Sequence, residues 1–378
     1  MSAQKGTASA GWRGVRVLIT GHTGFKGAWL AEWLLGEGAE VSGLALPPEA
    51  PSLYRDLDLG GRMASTFGDI RDSAAVEKVM DEAKPQIIFH LAAQALVRAA
   101  YADPVAAFAT NVMGTAHVLE AARNAPSVGA VVCVTSDKCY DNHEQAQAFR
   151  EGDALGGRDP YSASKAAAEI VAGSWRETLF PLEGRVRLAT ARAGNVIGGG
   201  DRAADRLIPD MVRAIEARRP LALRNPDAVR PWQHVLEPLR GYLTLGEGLL
   251  AGEPVEGAWN FGPGPNSEIG VADMARRFAA AAGAELAIGI EPSPLPEAQV
   301  LRLDIAKAAT GLGWRPVLSI DDAVALTAQW WKARAADPAS IAEVTRAQIA
   351  RYKEAVSEGV AGGDSADTGR NTNRRSTK

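Results

Sequence analysis

Tyr161 and Lys165 stand four residues apart in Tyr161-Ser162-Ala163-Ser164-Lys165, a stretch whose alanines and serines continue into a helical pattern. Four residues is about one helical turn, so the phenol and the ammonium share a face. An ordinary tyrosine, with a pKa of about 10, is a poor base at neutral pH. A cation beside it favours phenolate, and such a pair can take the proton of a secondary alcohol while the carbon gives up hydride. Hydride needs an acceptor. Gly21-His22-Thr23-Gly24-Phe25-Lys26-Gly27 offers a place for a dinucleotide, because glycines allow a tight turn and bring backbone N–H groups up to a pyrophosphate where a helix begins. His22 and Lys26 are unusual in such a loop. Either they meet phosphate or ribose oxygens, or they are solvated loop side chains.

A second polar cluster, Thr135-Ser136-Asp137-Lys138-Cys139-Tyr140, leaves the end of an apolar run at 130–135. Three adjacent polar side chains at the carboxyl edge of a buried strand are hard to explain by packing, and that edge is where ligands bind. Gly68-Asp69-Ile70 and His90-Leu91-Ala92-Ala93-Gln94 occupy the ends of two other apolar runs, with small residues that let a cofactor pass close to the backbone. The acidic ribose anchor expected about 20 residues beyond the glycine loop is missing. The second strand ends in Leu44-Ala45-Leu46-Pro47, with no carboxylate before Glu49 and no arginine to meet a 2′-phosphate. NAD is therefore expected over NADP, with its ribose held by backbone groups.

The elements that must position these residues alternate. Strands are expected at 15–19, 40–44, 65–67, 87–90, 130–135 and 187–191, with helices at 25–35, 74–82, 105–123 and 161–176. Strands separated by helices imply an α/β fold with a doubly wound parallel sheet of the Rossmann type. Beyond about 195 the rhythm breaks into loops, short strands and helices at 205–217, 236–250, 270–282 and 320–333, with an extended stretch at 292–296. The division expected is a dinucleotide-binding domain over 12–195, a smaller α/β substrate-binding part over 196–355 interleaved with it, and a disordered tail over 356–378. A formal charge of −4 over 378 residues leaves no footprint for nucleic acid or an anionic membrane. Two cysteines, no signal-peptide core and no long apolar span point to the cytoplasm. Five dispersed histidines give no metal-ligand spacing.

The Gly-x-x-Gly-x-x-Gly loop with Tyr161 and Lys165 resembles the extended short-chain dehydrogenase/reductase superfamily, in which Asn111 matches a structural asparagine. Longer strings are more specific: Ser136–Tyr140, Arg192-Ala193-Gly194-Asn195-Val196-Ile197-Gly198-Gly199-Gly200-Asp201, Arg230-Pro231-Trp232-Gln233-His234-Val235 and Trp259-Asn260-Phe261-Gly262-Pro263. Together they resemble the CDP-glucose branch of the sugar-nucleotide 4,6-dehydratases, which has Asp-Lys where the dTDP-glucose branch has Asp-Glu after the hydroxyl. The resemblance implies NAD held by residues 21–27, Asp69, Ile70, Leu91, Ala92 and Ala93, with Lys165 on the nicotinamide ribose. It implies Ser136 on the substrate oxygen, Tyr161 as base at the C4 hydroxyl, and water lost across C5 and C6. Asp137 is expected as the acid at O6 and Lys138 as the base at C5, neutral through burial and the nearby Lys165; otherwise Lys138 orients Asp137 or stabilises an enolate. Asn195 and Arg230 are expected at pyrophosphate or ribose and Asp201 with Arg206 near the base. Arg224, His234, Gln94, Leu207 and Ile208 complete the substrate wall. A 4-epimerase on the same fold is the alternative, sharing Tyr161 and Lys165 without a use for Asp137 and Lys138. By the same resemblance, helices 105–123 and 161–176 pair two subunits into a homodimer.

Overall fold

Uniformly apolar strands need cover on both faces, and the chain supplies it. The computed structural model describes residues 11–145, 147–264, 267–291 and 301–363. In it β1 (Arg16–Thr20), β2 (Glu40–Ala45), β3 (Ala64–Phe67), β4 (Ile87–His90), β5 (Ala130–Val134), β6 (Arg187–Arg192) and β7 (Gly257–Asn260) form one seven-stranded sheet. Its order is β7-β6-β5-β4-β1-β2-β3, and every neighbouring pair is parallel. Val17 and Ile19 enter the core on one face and Leu18 the core on the other, as the period of two requires. The winding reverses between β1 and β4, which opens a crevice at their carboxyl ends. β7 lies beyond residue 195, so the second part of the chain returns to complete the sheet. The remainder adds short strand pairs, among them Val196–Ile197 with Gln233–His234 and Leu221–Leu223 with Ile288–Ile290. Among the described residues no helix is long and apolar enough to cross a membrane.

The helix expected over 105–123 is divided. Asp103 caps Pro104–Phe108, whose first residue is proline. A π-helical segment, Ala109–Met113, then carries Asn111 into the interior before Gly114–Asn124 resumes the α-helix. One widened turn is a common way to re-aim a side chain at a site. The expected disordered tail is corrected at its start: a helix runs over Ile341–Gly363. Ile341, Thr345, Gln348, Ile349 and Tyr352 form its buried stripe. Arg346 reaches the buried Glu32 of the Phe25–Gly36 helix at 2.8 Å, and Tyr352 stands edge-on to Trp33. Residues 364–378, and the stretch expected as extended at 292–296, lie outside the described residues.

One buried ion pair ties the sheet to the helix Pro160–Ser174. The Glu169 carboxylate accepts from Arg192 Nη2 at 2.8 Å, from Thr190 Oγ1 at 2.7 Å and from Thr135 Oγ1. Arg192 Nη1 donates to the Tyr140 hydroxyl, which donates to Asn260 Oδ1 at 2.6 Å. Burial alone would raise the Glu169 pKa, but Arg192 and the two hydroxyls hold it below the ordinary carboxylate value. Its stabilising contribution is therefore complete at neutral pH and is lost as the pH falls through that depressed value. Glu169→Gln leaves Arg192 without its countercharge and is expected to cost about 3–5 kcal/mol in urea unfolding. Lys78→Ala, which breaks the exposed pair with Glu82, is expected to change stability by less than about 1 kcal/mol in the same assay.

Candidate active site

Gly21 leaves β1 at φ +80°, and a Cβ there would lie 2.8 Å from the Ala92 nitrogen. A Cβ on Gly27 would lie 2.2 Å from the Gly21 carbonyl oxygen. Both positions exclude a side chain, so the loop is a bare backbone cradle. The helix Phe25–Gly36 starts at Gly24 with no side-chain cap and no acidic residue in its first turn, which leaves its N–H groups for an anion. This fits the pyrophosphate of a dinucleotide. Thr23 Oγ1 donates to the Leu46 carbonyl and so holds the end of β2 beside the loop. Asp69, Ile70, Leu91, Ala92 and Ala93 line the same cavity.

His22 meets neither expectation. Its ring is wholly buried between Tyr54 and Phe67, in space left by Gly43, where a Cβ would lie 2.3 Å from the imidazole. Burial pushes its pKa down to about 4, so it is a neutral core residue outside the cavity. Lys26 does enter the cavity, donating to the Tyr242 hydroxyl at 3.4 Å. Burial, with Arg206 and Lys165 nearby, brings its pKa down to about 7.

A cavity of about 910 Å³ runs from this loop past Ser136, Asp137, Lys138, Tyr161 and Lys165 to Arg224 and Arg230. Asp159 caps the catalytic helix by accepting from the Ser162 nitrogen at 3.0 Å, which sets Tyr161 and Lys165 in its first turns. Lys165 Nζ donates to the Val134 carbonyl. In the free chain burial dominates: it pushes the Tyr161 phenol up to about 12, against a hydrogen bond with Ser136, and lowers Lys165. Burial penalises the phenolate anion, so a positive charge brought close to Tyr161, such as that of a nicotinamide ring, is what would favour it. Ser136 Oγ accepts from the Lys138 nitrogen and donates to Asp137 Oδ1 at 3.0 Å. Asn195, at φ +52°, donates to Asp137 Oδ2 at 3.4 Å. A Cβ on Gly194 would fall 1.8 Å from that oxygen, so glycine alone leaves room for the carboxylate. Lys138 lies half-buried on the cavity wall rather than enclosed.

Asp201 and Arg206 pair at 3.0 Å. Arg206 acts on the charge states of both Lys26 and Tyr161, and its neighbours Asp205 and Leu207 line the same cavity. Leu207, Ile208, Arg224 and Arg230 line the outer part. Two expected substrate residues do not line the cavity. His234 is fully buried, edge-on to Trp29, with burial lowering its pKa to about 3. Gln94 turns its amide to the Leu96 carbonyl, while Asn111 clamps its backbone and donates to Ser164 on the catalytic helix. Arg71, Arg98, Tyr101 and Asp205 also line the cavity and are not among the expected residues. Arg71, which pairs with Asp69 at 2.6 Å, could have been found two residues beyond it in the string. Arg98 and Asp205 are brought together only by the fold. Among the described residues no group of three His, Cys, Asp or Glu is placed to hold a metal ion.

Residues 18–327 match the family model described as GDP-mannose 4,6 dehydratase. The CDP-glucose 4,6-dehydratase of Salmonella typhimurium is 45% identical over 329 residues, covering 85% of this chain and 92% of that protein. The dTDP-glucose 4,6-dehydratase DesIV from Streptomyces venezuelae, solved with NAD and TYD bound, superposes with a TM-score of 0.74 at 26% identity, covering 86% of this chain and all of that one (100%). The UDP-glucose 4-epimerase of Thermus thermophilus, solved in complex with NAD, gives a TM-score of 0.72 at 25% identity over 84% of this chain and 99% of that one. The bare phosphate cradle, the Tyr161/Lys165 helix and these matches agree: the chain belongs to the GDP-mannose 4,6 dehydratase family, within the extended short-chain dehydrogenase/reductase superfamily.

Proposed function

We propose that this chain removes water from CDP-glucose to give CDP-4-keto-6-deoxyglucose, with NAD as a cofactor regenerated in each turnover. The observation that carries this reading is the Ser136-Asp137-Lys138 turn, an acid and a base on the wall of the cavity that holds Tyr161 and Lys165. The Salmonella typhimurium relative supports the choice of nucleotide. NAD, bound over residues 21–27, supplies the hydride acceptor at C4 and the hydride donor at C6. Tyr161 takes the proton of the C4 hydroxyl while Ser136 hydrogen-bonds its oxygen. The resulting ketone acidifies the C5 hydrogen. Lys138, which must act here as the neutral amine, removes that hydrogen as a proton while Asp137 protonates O6, and the C6–O bond breaks to release water. Lys138 returns its proton to C5 as C6 is reduced, and the proton collected by Tyr161 replaces the one that Asp137 spent.

The homodimer belongs to the same reading. Val105, Phe108 and Met113 on one helical stretch and Ile170 on the catalytic helix are large apolar side chains left exposed. A second copy covering them would bury both stretches. The cytoplasm suits the two thiols, Cys133 and Cys139, which are buried and unpaired.

Assayed side by side with CDP-, dTDP-, UDP- and GDP-glucose, the enzyme is expected to prefer CDP-glucose and to yield a new methyl doublet in the proton NMR spectrum. An epimerised sugar without a methyl group would overturn the dehydratase reading. Tyr161→Phe is expected to lower kcat by about 10²–10⁴-fold, which single-turnover kinetics would measure. Lys138→Ala is expected to abolish exchange of the C5 hydrogen with deuterated water; exchange at the normal rate would leave Lys138 only an orienting part. Val105→Glu combined with Ile170→Glu is expected to halve the mass seen in sedimentation.

A further inference from the structure

We propose that Asp205 and Arg224 read the Watson–Crick edge of the substrate's cytosine and reject uracil and thymine. This inference rests on the CDP-glucose reading and assigns the groups that make the choice of base. The inner part of the cavity is taken by the phosphate cradle and the reacting centre at Tyr161. A nucleotide sugar with its hexose at Tyr161 must place its base in the outer part, among Leu207, Ile208, Arg224 and Arg230.

There the structure holds a carboxylate and a guanidinium side by side. Asp205 Oδ1 accepts from Arg224 Nη1 at 2.8 Å and from Arg98 Nη1 at 3.3 Å, and Arg224 Nη2 also donates to the Asp205 carbonyl at 3.2 Å. The two arginines come from distant parts of the chain, 107 positions and 19 positions from Asp205 in sequence. Asp205 is held at φ +63°, a conformation that a non-glycine residue keeps only where its surroundings fix it. Both arginines meet Oδ1, and among the described residues Oδ2 is the oxygen that neither engages. The two side chains remain 38% and 25% exposed, so a ligand can reach them.

Cytosine presents an amino donor at N4 beside an acceptor at N3. A carboxylate accepts from N4, and the guanidinium next to it donates to N3. Uracil and thymine reverse both groups: O4 would face the carboxylate and N3–H the guanidinium. The pair therefore selects by attraction and by repulsion together.

The test is the ratio of kcat/KM for CDP-glucose to that for UDP-glucose, measured within single preparations of wild type, Asp205→Asn and Arg224→Gln. Asp205→Asn offers an N–H to O4 and is expected to lower the ratio by about 10- to 100-fold, with UDP-glucose turnover rising. Arg224→Gln is expected to lower the ratio through loss of CDP-glucose turnover. Should either variant turn over too slowly, calorimetric binding of CDP against UDP gives the same ratio. A wild-type ratio retained in Asp205→Asn overturns the assignment while leaving the substrate reading intact. A wild-type enzyme without preference for CDP-glucose overturns both.

Discussion

The attraction between Glu169 and Arg192 decides where the catalytic helix lies. A carboxylate and a guanidinium, each with 3% of its side chain exposed, are tolerated only because they neutralise each other and because hydroxyls fill the remaining hydrogen-bond positions. Those conditions fix more than two residues. Thr135, bonded to Glu169, is the step from β5 into Ser136 and Asp137. Arg192, at the end of β6, leads into Gly194 and Asn195, which cradle the Asp137 carboxylate. Glu169 itself lies one turn beyond Lys165. Asp137, Lys138 and the helix that carries Tyr161 and Lys165 are therefore placed by one desolvated contact below them.

The same lack of water governs the charges above it. Burial raises Tyr161 and lowers Lys26, Lys165 and His90, each toward its neutral form. His90 is held by hydroxyls of Thr20 and Thr115 and serves to lock β4 to β1 and to the helix Gly114–Asn124. Ion pairs on the cavity wall include Asp201 with Arg206, Asp69 with Arg71, and Asp205 with Arg224. A cavity arranged in this way makes the charge state of its phenol and amines depend on what is bound, because a ligand charge is weakly screened there.

What is legible in the sequence is local. Apolar runs show the strands, and the glycine spacing shows the loop, because φ and close approach act within a few residues. Tyr161 and Lys165 need only a helical turn. His22 escapes such a reading because its burial depends on Gly43, Tyr54 and Phe67, three residues that the β2–β3 region brings over it. Gln94 and His234 escape it for the same reason: their strings are recognisable, but which way each side chain turns depends on Asn111 and Trp29. The stripe Ile341, Thr345, Ile349 and Tyr352 has helical spacing and is readable. The glycine, serine and asparagine beyond it dominate the composition and mask it.

Glu32 is made early and its partner Arg346 late, with 314 positions between them. A ribosome therefore releases the strand and helix that form the phosphate loop long before the residues that pack behind that helix. Through most of synthesis Glu32 has Arg62 but not Arg346 beside it, and Trp33 lacks the ring of Tyr352. Contacts so distant in sequence close slowly. Until its last helix is made, the nascent chain carries the phosphate-loop half with one flank unpacked.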